Sequence, residues 1–169
     1  MSDITSIAGA SEAALSLKTL LDQTLTVIEN RYAHHGVSLP TRRYWSINEE
    51  VIDCEQLVVT FQQLYIGPPG DEATRPQKQD SPRSAVLKAT VARPIPTTNG
   101  RGLVPTEAKI QQGSEISAVD AWVLLDCVSM LDQWEYSGVF GIGVIATVDT
   151  DPPQGGFQTV TATFTIAVP

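Results

Sequence analysis

Histidine, cysteine and positive charge are scarce in this chain: its 169 residues hold two histidines, two cysteines, and 11 Lys and Arg against 19 Asp and Glu, for a net charge of −8. Nonspecific nucleic-acid binding draws on Lys and Arg displacing the counterions condensed on phosphates, so this balance argues against direct DNA or RNA binding. An acidic surface keeps a monomer soluble and can equally supply one wall of a charge-complementary contact, but its sign names no partner. Cys54 and Cys127 have no CxxC spacing and no His-rich neighbourhood, so two buried free thiols are expected, one in a strand and one in a helix. Long apolar runs are also missing. The opening MSDITSIAGASEAAL has no basic region leading into an apolar core, which predicts neither a secretory signal nor a membrane span and places the protein in an aqueous compartment.

Motifs that carry chemistry are lacking as well. HExxH, GxSxG and GxxxxGK[ST] do not occur. Gly138-x-x-Gly141-x-Gly143 resembles half a dinucleotide fingerprint, but it precedes a strand where that fingerprint must follow one and open a helix. His34 and His35 are neighbours at a helix end, where adjacent side chains diverge by about 100° and cannot both reach one metal unaided. Glu49, Glu50, Asp53 and Glu55 gather near a strand start with no catalytic companion, and read as a solvated edge or an intersubunit salt bridge. No enzyme activity, cofactor or metal is expected.

What is present is an ordinary folding composition, 42% hydrophobic and 18% charged. One domain spanning residues 1–169 is expected, and at this size it buries roughly 70% of the surface its unfolded chain exposes. Ala14, Leu17, Leu20, Leu21, Leu25, Ile28 and Tyr32 recur at helical spacing from a cap at Ser11, and Gly36 and Pro40 stop that helix. Strands are predicted over Arg42–Asn48, Cys54–Ile66 and Ser84–Pro94. A second helix, capped by Ser114 or Ser117 with Asp120 in a capping-box-like position, carries Val119, Trp122, Val123, Cys127, Met130, Leu131 and Trp134 towards Gly138. Strict alternation over Ile142–Val148 and Val160–Val168 predicts a closing hairpin, turned at residues 151–156. Its threonine face, Thr159, Thr161, Thr163 and Thr165, suits solvent or a neighbouring subunit. Polar loops are expected at about 67–83 and 95–113. The order α, β, β, β, α, β, β predicts an α+β fold: an antiparallel β-sheet with two main helices packed on one face.

Arg42 and Arg43 beside Tyr44 and Trp45 form a candidate cationic and aromatic contact patch, because Arg and Trp are over-represented among residues that dominate interfaces, with a core role for the two aromatics as the equal alternative. Asp71, Glu72, Arg75, Lys78 and Arg83 in the first loop, and Arg101 in the second, complete the interface candidates. Residues 71–83 carry no large apolar side chain, so they are expected to order on assembly.

Taken in order, the N-terminal amphipathic helix, Gly36-Val37-Ser38-Leu39-Pro40, Arg42-Arg43-Tyr44-Trp45, Asp53-Cys54-Glu55-Gln56-Leu57-Val58-Val59, a long polar hairpin loop, a second helix and a threonine-rich closing hairpin resemble the tail terminator proteins of long-tailed, siphovirus-type actinobacteriophages. The resemblance implies a tail-terminator-like sandwich that forms a homohexameric ring, caps the major tail tube protein, ends elongation and meets a head-side connector or stopper. It also implies a virion location at the head–tail junction after assembly in the host cytoplasm, with DNA passing through the ring lumen but not recognised by sequence. Another neck or tail-tube subunit is the near alternative. A small-ligand-binding or enzymatic α+β domain is the distant one.

Overall fold

The computed structural model describes residues 8–48, 50–70, 83–97, 102, 104–131 and 144–168. Its elements are α1 (Ala8–His34), β1 (Arg42–Ser46), β2 (Gln56–Ile66), β3 (Arg83–Pro94), α2 (Glu107–Asp126), a single turn α3 (Val128–Leu131), β4 (Ile145–Gln154) and β5 (Phe157–Val168). One five-stranded sheet in the order β1-β2-β3-β5-β4 carries α1 and α2 on one face, an α+β fold.

Of the helical spacing read in α1, Leu20, Leu21, Ile28 and Tyr32 lie in the core, Leu17 and Leu25 pack partly buried against it, and the Ala14 side chain lies outside the described residues; Val27, outside that spacing, is buried too. Its C-terminus is closed by Gly36, whose φ of +64° lets Val37 N–H reach Tyr32 O (3.0 Å) while Gly36 N–H reaches Ala33 O (3.1 Å). These two hydrogen bonds satisfy carbonyls that a helix end otherwise leaves orphaned. Facing α1 and α2, the sheet presents Leu57 and Val59 from β2, Ala85, Leu87, Ala89 and Val91 from β3, and Val160, Ala162, Phe164 and Ile166 from β5. The alternation predicted for Val160–Val168 therefore selects the buried face of β5, and β2 and β3 follow the same period of two.

The sheet is mixed, which corrects the all-antiparallel expectation. β1 pairs with β2 in parallel, Arg42 beside Gln56 through Ser46 beside Thr60, whereas every other neighbouring pair is antiparallel. Parallel neighbours need a crossover, and of it the described residues 50–55 lie over the face away from the helices. There Glu50 binds Lys88 and Thr90 of β3, and Gln56 Nε2 donates to Val51 O (2.8 Å). This crossing accounts for the burial of Thr60 and Thr90 on the face of the sheet away from the helices.

Three boundaries also move. Helix α2 starts at Glu107, so the expected 95–113 loop ends seven residues early; Thr106, in extended conformation, precedes the helix without a side-chain cap bond, and Gly113 is helical. Strand β4 runs through Asp151, Pro152 and Pro153 to Gln154, and the turn is only Gly155-Gly156, at φ +57° and +85°. Two positive φ values in a two-residue hairpin match the twist of the flanking strands. The prolines cannot donate to the ladder, and the pairing is correspondingly irregular between Asp151 and Gln154. Cys54 is half-buried just before β2 rather than within it, and Cys127 is buried between α2 and α3; both are free. Of the threonine row, Thr159 and Thr161 are buried, their hydroxyls donating to the Asp151 carboxylate at 3.1 and 3.0 Å, while Thr163 and Thr165 are partly exposed.

Candidate functional site

The densest polar constellation was not foreseen in the sequence. Arg93, near the end of β3, donates from Nε to Asp120 Oδ2 (2.9 Å), from Nη2 to Asp120 Oδ1 (3.0 Å) and Ser38 O (2.7 Å), and from Nη1 to Glu55 Oε1 (2.6 Å). Tyr32 of α1 donates its hydroxyl to the same Asp120 Oδ1 at 2.8 Å. Asp120 and Tyr32 are fully buried, and Arg93 is 8% exposed. Burial works against the guanidinium charge, but bonds and attraction from Asp120 and Glu55 outweigh it and raise the Arg93 pKa. Burial first, then the Asp120 charge, push the Tyr32 phenol well above its ordinary range.

Above this network lies a depression of about 560 Å³ lined by Val37, Ile95, Ile116 and Val119 with Ser38, Glu55, Arg93 and Gln158 among its polar groups. Arg93 is committed to four acceptor bonds beneath it, and Tyr32 to Asp120. What the arrangement does chemically is fasten α1, β3, α2 and the chain at residues 38 and 55 to one another.

Asp120 does not cap a helix with Ser117, as its spacing suggested. It sits in the interior of α2, facing Arg93, and Ser117 Oγ instead donates back to Gly113 O (3.2 Å). The acids read as a solvated edge or an intersubunit bridge are in fact paired within the chain: Glu50 with Lys88, Asp53 with Arg42 (2.8 Å), Glu55 with Arg93. Glu49 lies outside the described residues. Burial opposes the Glu50 charge, yet Lys88 and neighbouring hydrogen bonds leave its pKa lowered. His35 Nε2 stands 2.9 Å from Asp126 Oδ2, and this bond leads the effects that lower the Asp126 pKa. His34 meets His35 edge-on, and no cluster of metal-ligating side chains occurs among the described residues.

Of the interface candidates, the structure gathers Arg42, Arg43 and Trp45 on β1, an edge of the sheet. Arg42 stacks over Tyr44 at 5.0 Å and is half exposed, Arg43 pairs with Glu29 of α1 (2.8 Å), and Trp45 Nε1 donates to Asp22. Arg83 is exposed at the start of β3. Asp71, Glu72, Arg75, Lys78 and Arg101 lie outside the described residues, as do Trp134 and the glycines at 138, 141 and 143.

The opposite edge is β4, whose outer side has no strand partner among the described residues. Asp149 and Asp151 are exposed there without a cation partner among the described residues. Over this edge stands the outer side of α2, where Trp122 is 64% exposed and Leu125 is exposed. With Val128 and Ala146 they line a second, mostly apolar depression of about 440 Å³. No helix among the described residues is long and apolar enough to cross a membrane. Comparison with models of known protein families finds no match, and neither does comparison with curated proteins.

Proposed function

We propose that this chain is a structural virion subunit that closes into a ring on the end of a phage tail tube, stops the tube growing and joins it to the head side. Its relation to tail terminators rests on the residues that resemble them. The observation that carries the assembly role is the pair of unlike sheet edges, neither with a further strand beside it among the described residues: a ring larger than a dimer needs two different surfaces on each copy, and β1 and β4 differ in length, charge and apolar cover. The internal engagement of Arg93, Asp120 and Tyr32 supports a role without covalent chemistry.

Light scattering after size exclusion tests the reading. A closed species near six times the 18.2 kDa chain mass, able to block elongation of a pre-formed tube, is expected. Open filaments would reassign the chain to the tube itself.

A second reading is favoured by the depression beside Arg93 and Glu55, which is large enough for a small ligand. A strictly monomeric protein whose melting temperature rises with a small molecule, the rise being lost in Glu55→Gln, would replace the ring reading with a ligand-binding domain.

A further inference from the structure

We propose that β4 of one copy receives β1 of the next, antiparallel and in a single register, so that the sheet continues from subunit to subunit. This rests on the ring reading above and specifies its contact.

Direction comes first. β1 and β2 run together, β3 runs against them, β5 returns and β4 reverses again. β4 is therefore antiparallel to β1, and a copy rotated about an axis along the strands brings its β1 beside β4 with the polarity that the stronger ladder requires. Length agrees as well: β1 has five residues, Arg42–Ser46, and the regular part of β4 ahead of its irregularity is Ile145–Asp151.

Side-chain facing then selects the register. Arg43 and Trp45 share the helix face with their partners Leu57 and Val59, as Ala146 and Val148 do with Phe164 and Ala162. Arg42, Tyr44, Thr147 and Asp149 lie on the other face. Setting Arg42 opposite Asp149 keeps every side chain on its own face and places Tyr44 opposite Thr147, Trp45 opposite Ala146 and Ser46 opposite Ile145. An opposite-charge pair and an aromatic–β-branched pair are both favourable across strands. The Trp45 indole meets an alanine at the floor of the depression that Trp122 and Leu125 overhang. Sliding β1 by two residues keeps the faces but sets Arg42 against Asp151, at the break in the ladder before Pro152.

Charge selects a head-to-tail contact over a symmetric one. β4 carries two carboxylates and no cation, β1 two arginines and no acid. Two β4 edges would bring like charge together, because Asp149 and Asp151 have no cation partner among the described residues, whereas β1 offers the half-exposed Arg42, which exchanges Asp53 for Asp149 at the contact.

The test uses the full chain with Cys54→Ser and the pair Ser46→Cys and Ile145→Cys. Residues opposed in a ladder have Cα separations within disulfide range, so oxidation of the assembled ring should give covalent oligomers up to the closed ring. Ser46→Cys with Thr150→Cys should give none. Separately, Asp149→Arg and Arg42→Asp should each raise the concentration at half-assembly by about tenfold, and the two together should restore it. Circular dichroism melts check that each variant folds. A wild-type ring with no cross-link from the first pair, or with charge reversals that neither weaken assembly nor compensate, overturns this contact and leaves the ring reading standing. A wild-type chain that stays monomeric and does not cap tubes overturns both.

Discussion

The Arg93 guanidinium meets the Asp120 carboxylate in a two-pronged pair, 2.9 and 3.0 Å, with both residues shielded from solvent and a buried tyrosine hydroxyl on the same carboxylate. Each remaining charge in such a pair becomes a liability when its partner is removed. Asp120→Ala is expected to destabilise the fold by about 3–5 kcal/mol, measured by urea unfolding. Tyr32→Phe, which deletes one bond to a charged acceptor, should cost about 1.5–3 kcal/mol. Equal, small losses for both would contradict a cross-tie of this kind.

Glu50 gives the fold an acid-sensitive contact. Its carboxylate pKa is lowered in the folded chain from an ordinary value of 4.5. The stabilisation is therefore complete above that value and drains away as pH falls through the lower folded one. In pH-dependent melting, Glu50→Gln should flatten the slope of Tm below about pH 4.5 and leave a lower but level plateau above it. An unchanged slope in the variant would assign the acid limb to other groups.

The two thiols should separate cleanly. Burial pushes the Cys127 thiol up to about 12 and shields it from reagent, whereas Cys54 is only half-buried. Thiolate is the reactive form, so a maleimide at pH 8 should label Cys54 alone in the folded protein and both residues in denaturant. Rapid native labelling of Cys127 would show that the α2–α3 junction opens.

Trp122 lies on the surface, so Trp122→Ser should change stability by no more than about 0.5 kcal/mol while weakening self-association. Urea unfolding and sedimentation read the two effects independently. A large loss of stability with unchanged association would make the indole a core residue.

Much of this architecture was legible because burial enforces period: the stripe of α1 and the alternation of β2, β3 and β5 follow from one face meeting the core. Helix α2 was mislaid at its start because Ile110, Ile116, Val119, Trp122 and Leu125 point outward, so its apolar residues form no single stripe, and Pro105 and Gly113 punctuate it like a loop. The parallel β1 depends on where residues 47–55 travel, a tertiary choice that no local pattern encodes. Arg93, Asp120 and Tyr32 stand far apart in the chain and match no motif; their one trace was a carboxylate in the middle of an otherwise apolar helical segment.

Strand β2 contains an unpaired step at Gln62: Phe61 faces Leu87, yet Gln63 already faces Val86 and Leu64 faces Ala85. That one residue acts as a phase shifter. Ahead of it the strand keeps step with the core; beyond it the parity inverts, so that Leu64 and Ile66, both exposed, share the helix side while Gln63 and Tyr65 take the other. A single insertion or deletion at this point exchanges the apolar and polar sides of the strand's far end without disturbing Leu57, Val59 or Phe61. The far end of β2 can thus be retuned by a change in length as readily as by a change in residue type.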